Sequence, residues 1–372
     1  MNRASSIDRA RIAPSDIAVV FGAGASVPPL INQQELIQRL LLHHDDTRLH
    51  PAQKYLGRTF PGLLTTTSGY KLLRFEDIVG PLEIAESEEY WYHFGGRTTG
   101  KREVLLTNKQ VLDSLDTWVA MVLDPDSLPK PQGRNNAETE NKYSSFYDPA
   151  KSTKLPYARI VNFLAGTGLM KNTAFLSMNY DILLDRVLYA SRIYKPDYRI
   201  DGFYNDSTTL ETTSEIPSVI LLKLHGSLNW RVCDKCHVLR NLKEFAVWPN
   251  SGCVDCDGRF AKPMLIRPTL LKDFRHRVWR DIWREAGHVM ASARVWVFVG
   301  YSLPMADVWM LRLLAQSARS GGIGPEKRTV IVVNPDPAAK DRFSLLFPNL
   351  KFRQETFEDW ANACISQGSL AQ

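Results

Sequence analysis

Five short apolar runs, each broken off by a cluster of small or polar residues, set the tightest limit on how this chain can fold. The first, Asp16 to Phe21, ends in Gly22-Ala23-Gly24-Ala25-Ser26. The others are Thr173 to Met178, Val219 to Leu224, Val295 to Val299 and Val330 to Val333. None alternates apolar with polar, the pattern of strands covered on both faces rather than one. Helical patterns fall between most of them. Gln33 to Leu42 puts Leu36, Ile37, Leu40 and Leu41 on one face, and Ile182 to Ala190, Arg275 to Ser292 and Trp309 to Arg319 follow. Strands alternating with helices predict an α/β fold with a doubly wound, mostly parallel sheet. Ligands of such folds bind beyond the carboxyl ends of the strands, where these clusters lie.

Between the first run and the second the pattern weakens. Helix-like patches occur at Phe75 to Glu89 and Val104 to Leu123, and the Pro-, Asn-, Ser- and Lys-rich stretch 124–156 reads as a mobile loop. Residues 31–170 are therefore expected to form a largely helical insertion. Lys and Arg number 46 against 40 Asp and Glu, a net charge of +6, and 44% of residues are apolar, which excludes a disordered polycation. No apolar run reaches the roughly 20 residues of a membrane span, Val295 to Leu303 being about half that length. Met1 to Asp16 lacks an apolar signal-peptide segment, so a cytoplasmic location is expected.

Each cluster carries two readings. The glycine turn after a strand lets backbone approach a pyrophosphate, or it is a tight turn; Val27 stands where a dinucleotide fingerprint has its third glycine. In Ser177-Met178-Asn179-Tyr180-Asp181, Asn179 can hold a water or a sugar hydroxyl and Asp181 can accept from an amide or hydroxyl, or both cap the next helix. In Lys223-Leu224-His225-Gly226-Ser227-Leu228-Asn229-Trp230, His225 suits a general base, with little bulk beside it at Gly226, or it is structural. Gly300-Tyr301-Ser302-Leu303-Pro304 and Asn334-Pro335-Asp336 can receive phosphate or ribose, or are turn chemistry.

The cysteines are more specific. Cys233 and Cys236 form one Cys-x2-Cys pair, Cys253 and Cys256 another, with sixteen residues between the pairs, which is the spacing of a structural zinc site. Four thiolates leave no open coordination position, so the metal would staple a small ribbon rather than activate water. The isolated Cys364 is expected to pack in the core. Lys272 to Glu285 interleaves basic and aromatic residues, but Asp273, Asp281 and Glu285 offset the charge. A solvated helix with its Trp side turned inward is expected there, and direct nucleic-acid binding is not.

Taken in order, the glycine turn, Asn-x-Asp, His-Gly, paired cysteines, Gly-x-Ser and final Val-Asn resemble the sirtuin family. The resemblance covers Ile17 to Ser26 and Thr173 to Pro335. The wording Met-Asn-Tyr-Asp, Lys-Leu-His-Gly-Ser-Leu-Asn-Trp and Gly-Tyr-Ser-Leu-Pro is more similar to the sirtuin-like branch of bacterial antiviral-defence proteins than to the deacylases. It implies a Rossmann-type NAD-binding domain of 14–30, 171–229 and 263–365, with a zinc-ribbon module at 231–262. It puts Gly22, Ala23, Gly24 and Ser26 around the NAD phosphates, Gly226 beside the base, and Gly300, Ser302 and Asn334 at the adenosine half. Asn179 and Asp181 would serve the nicotinamide ribose and amide, with His225 as the base on a ribose hydroxyl.

Two departures from the deacylases matter. Val27-Pro28-Pro29-Leu30-Ile31 stands where a deacylase carries Gly-Ile-Pro-x-Phe-Arg, and Met264-Leu265-Ile266-Arg267-Pro268-Thr269 stands where its peptide-pairing Phe-Gly-Glu stretch falls. The resemblance therefore implies an NAD hydrolase, releasing nicotinamide and ADP-ribose, with a protein deacylase and a non-catalytic NAD or ADP-ribose sensor as alternatives. It further implies antiphage defence by NAD depletion, gated by homo-oligomerisation or by a separately encoded partner of Argonaute or translocase-type ATPase kind.

Overall fold

Ile17–Phe21 forms β1 at the centre of the molecule, buried at every position, as a run without polar alternation requires. The computed structural model describes residues 16–27, 30, 33–43, 46–65, 75–87, 106–123, 152–200, 204–205, 216–241, 252–253, 255–259, 262–267, 276–304, 307–319, 324 and 327–370. Most of the loop expected at 124–156, all but 152–156, lies outside them, as does the start of the 272–285 stretch.

The remaining strands are β2 (Thr173–Ser177), β3 (Lys195–Asp197), β4 (Tyr204–Asn205), β5 (Ser218–Lys223), β6 (Gly226–Val232), β7 (Leu239–Asn241), β8 (Lys262–Leu265), β9 (Val295–Val299), β10 (Thr329–Val333) and β11 (Lys351–Arg353). Seven of them make one sheet in the order β11-β10-β9-β1-β2-β5-β3, and every neighbouring pair is parallel. From β1 the chain adds β2, places β3 at the far side and inserts β5 between them, then returns to add β9, β10 and β11 on the other side of β1. Strand order therefore reverses between β1 and β9, the switch point at which a doubly wound sheet opens a crevice. The α/β, doubly wound fold read from the five apolar runs is the fold observed.

The second sheet, β4-β7-β6-β8, is small and mixed, with β6 antiparallel to both β7 and β8. Helix Arg277–Ser292 buries Val278, Trp279, Ile282 and Trp283, while Arg277 and Arg284 lie outside and pair with Asp281 at 3.3 and 2.7 Å. The inward Trp side expected from the sequence is thus present. No described helix is long and apolar enough to cross a membrane.

Among the described residues, two hydrophobic cores result. The larger surrounds the seven-stranded sheet, and each fully buried Val, Leu or Phe in it contributes about 1.5–3 kcal/mol over exposure. The smaller joins helices Gln33–Leu42, His50–Thr59, Phe75–Ser87 and Asn108–Leu123 around Ile37, Leu56, Ile78, Leu115 and Trp118. Tyr180 packs against both. Two differences from the sequence reading follow. Helix Pro156–Gly166, read as part of the insertion, puts Tyr157, Ile160, Val161 and Leu164 into the main core. Helix Gln33–Leu42, the first helical pattern after the glycine turn, faces the smaller core, and the turn itself runs into the short 3-10 segment Ala23–Ser26.

Candidate active site and metal centre

Register brings the polar clusters together. Lys223, Ser177, Phe21, Val299 and Val333 form one row across β5, β2, β1, β9 and β10. Backbone bonding continues one residue past it: Leu224 to Ser177, Met178 to Phe21, Gly22 to Val299 and Gly300 to Val333, each N–H donating at 2.9–3.0 Å. His225 and Asn179 follow two residues past this row, and Gly22, Gly300 and Asn334 one, so all five lie at the carboxyl ends of neighbouring strands, with the Gly22 and Gly300 turns at the switch point.

The glycines there answer to packing. Gly24 N–H donates to Gly300 O at 2.9 Å. A Cβ on Gly22 would lie 2.5 Å from Tyr301 Cα, and Gly300, at φ +62°, has Ala25 N 2.1 Å from where its Cβ would be. The two turns are in backbone contact, which side chains on these residues would prevent. Ala23 and Gly24 stay exposed and are the parts of the turn a ligand can reach.

Behind the turn lies a closed polar network. Asn179 Nδ2 donates to Gly22 O and to Ser26 Oγ, both at 2.9 Å. Ser26 Oγ donates to Asp181 Oδ2 at 2.7 Å and lies 3.1 Å from Tyr157 Oη. With its single proton given to Asp181, Ser26 accepts from Asn179 and from the Tyr157 hydroxyl, which fills the capacity of a serine oxygen. Asp181 Oδ1 accepts from Leu183 N–H at 3.0 Å, the capping role open in the sequence reading. Both N–H groups of Asn179 are thus committed, which fixes its amide plane and leaves Oδ1 to receive a water or hydroxyl. The hydroxyl of Ser26, a residue expected at the phosphates, is committed inward.

Burial pushes the Asp181 carboxyl above its ordinary range, against the opposing pull of Lys223, the Ser26 hydroxyl and the Leu183 amide. Burial also raises the Tyr157 hydroxyl well above its usual value, with the Asp181 charge adding to the effect, so Tyr157 stays a donor. Lys223 Nζ donates to Asp181 O and pairs with Asp185 at 3.3 Å, both side chains being almost wholly buried. Tyr198 Oη donates to Asp185 Oδ1 at 2.5 Å, and Asn229 Nδ2 lies 3.4 Å from the same oxygen. Breaking one side of such a pair leaves an uncompensated charge worth about 3–5 kcal/mol.

The His225 ring is buried beside this network, with Nδ1 3.2 Å from Met178 O. A carbonyl only accepts, so Nδ1 carries the proton and Nε2 is the basic nitrogen. Trp283 closes one side, its ring centroid 6.4 Å from that of His225 and its Nε1 donating to Leu224 O at 3.1 Å. Gly226 opens β6 and pairs with Leu265 of β8. Across the switch point, Asn334 Oδ1 accepts from Asp336 N–H at 2.9 Å and Asp336 caps the next helix, so this cluster does turn work. Ser302 is held through its carbonyl, which accepts from Arg342 Nε at 2.6 Å.

The metal centre assembles as its spacing requires. The Sγ atoms of Cys233, Cys236, Cys253 and Cys256 all lie within 4.8 Å of one another. Cys233–Cys256 and Cys236–Cys253 are 3.6 Å apart, close to the edge of about 3.8 Å of a tetrahedron with zinc–sulfur bonds of about 2.3 Å. Backbone N–H groups of Lys235, Asp255 and Gly258 point at three of the sulfurs from 3.3–3.4 Å, which favours thiolate. The donor set fits structural zinc. Cys364 packs in the main core, its thiol pushed up to about 12 by burial.

Several residues of the site had no role in the sequence reading, Asp185 and Tyr198 among them. Lys223, Asn229 and Tyr180 sit inside quoted motifs but act through partners elsewhere in the chain, and Tyr157 reaches Ser26 across 131 residues. The usable signal was a lysine inside an apolar strand, since a buried charge demands a partner.

No family model matches the chain, and no curated protein does. Among solved structures it is similar to a Sir2 homologue in complex with NAD, at 13% identity and TM-score 0.45, over 94% of this chain and 88% of that one. A structure of Sir2 enzymes solved for their mechanism and regulation gives 16% identity and TM-score 0.42, over 95% and 92%. A Sir2 protein bound to a propionylated peptide gives 13% and 0.41, over 96% and 94%.

Proposed function

We propose that this chain is a sirtuin-like NAD hydrolase that cleaves NAD to nicotinamide and ADP-ribose. The observation that carries the reading is the pairing of an amide and a base at the carboxyl ends of neighbouring strands. Asn179 has both N–H groups tied down and its oxygen left over, and His225 is held by Met178 O in the tautomer that leaves Nε2 basic. The order of the motifs, which resembles that of sirtuins, supplies the substrate.

In the reaction the bond between the ribose C1′ and the nicotinamide nitrogen breaks, its electron pair leaving with the now neutral nicotinamide. Water oxygen bonds to C1′, and one proton of that water must be taken up. Asn179 Oδ1 orients the water, and His225 Nε2 accepts the proton directly or through a ribose hydroxyl. The oxocarbenium-like transition state gains from dipoles already in place, which is what the Ser26, Asp181 and Tyr157 network supplies by fixing Asn179. Four-cysteine zinc adds structure and no chemistry.

The motif wording, which resembles the sirtuin-like defence branch, supports a role in prokaryotic antiphage defence by NAD depletion, gated by homo-oligomerisation or a separately encoded activator. The test is nicotinamide release from NAD by the purified chain, alone and with phage-infected lysate. Asn179→Ala and His225→Ala should each lower it by about 100-fold or more while NAD still binds. Release that requires an acylated peptide would make the chain a deacylase. Binding without turnover in every condition would make it a sensor. An isolated monomer fully active without a trigger removes the gating.

A further inference from the structure

Arg267 follows β8 and joins the small helical core to the site. Its Nε and Nη2 donate to Asp116 Oδ1 and Oδ2 at 2.8 and 2.6 Å, and Nη1 to Glu83 Oε1 at 3.2 Å. Asp116 belongs to helix Asn108–Leu123 and Glu83 to helix Phe75–Ser87. The guanidinium side chain is 27% exposed and the carboxylates 25% and 15%, so this two-pronged pair is partly shielded from water.

The adjacent residue, Ile266, touches both halves of the site. Its N–H donates to His225 O at 2.8 Å, and its O accepts from the Tyr180 hydroxyl. Tyr180 stands between Asn179 and Asp181, its ring packs on both cores, and its carbonyl accepts from Leu228 N–H at 2.9 Å. One residue thus ties the His225 turn to the Asn179–Asp181 loop, and its neighbour is fastened to the helical layer.

We infer that Arg267 is a positioning residue for NAD cleavage: through Ile266 it lets the helical layer hold His225 and the Asn179–Asp181 loop in register. This rests on the reading of Asn179 and His225 as the catalytic pair. The experiment uses the full chain as wild type, Arg267→Gln and Arg267→Lys, with hydrogen exchange and steady-state NAD kinetics on each. In Arg267→Gln, exchange in 178–182, 224–228 and 264–267 should rise about tenfold while 17–21 and 295–299 are unmoved. kcat should fall about tenfold with KM for NAD changed less than about threefold, and Arg267→Lys, a point charge without the fork, should recover part of the loss. Unchanged exchange in the three segments overturns the inference, as does a rise spread equally over the sheet, or loosened segments with kcat intact. A wild type that cleaves no NAD either alone or with phage-infected lysate defeats the catalytic reading on its own, and the exchange pattern then still decides whether Arg267 holds the two loops.

Discussion

Asp181 is a carboxyl held in the interior between a serine hydroxyl and a backbone amide, with burial the largest influence on it. Because burial raises its pKa in the folded chain, the native state binds the proton more tightly than the unfolded one. Its contribution to stability is full below the ordinary value of 3.8 and is lost as pH rises through the higher folded value. Asp181→Asn keeps the shape and the acceptor for Leu183 N–H but removes the charge. Urea unfolding over a pH series should show the variant gaining on wild type as pH rises through that window, then holding a constant difference above it. A difference flat across the whole range would mean that the carboxylate pays no desolvation cost where it sits. Asp181, Asn179 and His225 were legible because each lies in a cluster that directly follows an apolar run. Tyr157 and the Lys223–Asp185 pair were not, because their meaning arises from partners 131 and 38 residues away. Residue scale is where sequence reading misses the buried supports that surround the residues it singles out.

At the scale of elements, the second sheet is too slight to hold itself. β4 has two residues, β7 three and β8 four, and a handful of strand residues buries little apolar surface. The cysteine cluster supplies the missing constraint, so the purified chain should carry about one zinc by elemental analysis. Cys253→Ser with Cys256→Ser should abolish that zinc and speed exchange in 231–241, with 17–21 and 295–299 still protected. NAD cleavage should go with it, because β6 starts at Gly226, next to His225, and pairs with β8. Full zinc occupancy in the double variant, or an unaltered ribbon after chelation, would refute the metal centre. Cysteine spacing was readable because a Cys-x2-Cys turn is local geometry. Strands of two or three residues such as β3, β4, β7 and β11 were not, since so few residues show no periodicity. The glycine turn shows the converse: its residue types were plain, yet backbone contact with the Gly300 turn, seen only in three dimensions, is what claims them.

On the scale of the molecule, the two cores differ in how they are made. The larger is woven from strands that arrive from both ends of the chain, and β1 is hydrogen-bonded on both sides. The smaller is four helices around one cluster, joined to the sheet through Tyr180 and Arg267. The doubly wound class was visible in the sequence because five buried strands announce themselves by composition. The second core was not, because its helices lie in a region without motifs and only packing gives them a common face. Such a layer should open at lower free energy than the sheet, so amides of 50–59 and 108–123 should exchange before those of 17–21 and 295–299. His225→Ala, which on the proposed function should hold NAD without consuming it, allows the coupling to be read directly. Ligand at 100 times Kd stabilises the binding-competent state by about 2.7 kcal/mol. If the helical layer is part of that state, the same increment should appear in the opening of 108–123 as in the loops at 178–182 and 224–228. Protection confined to the sheet and its loops would show that the layer opens without disturbing the site, and would separate the two cores in function as well as in packing.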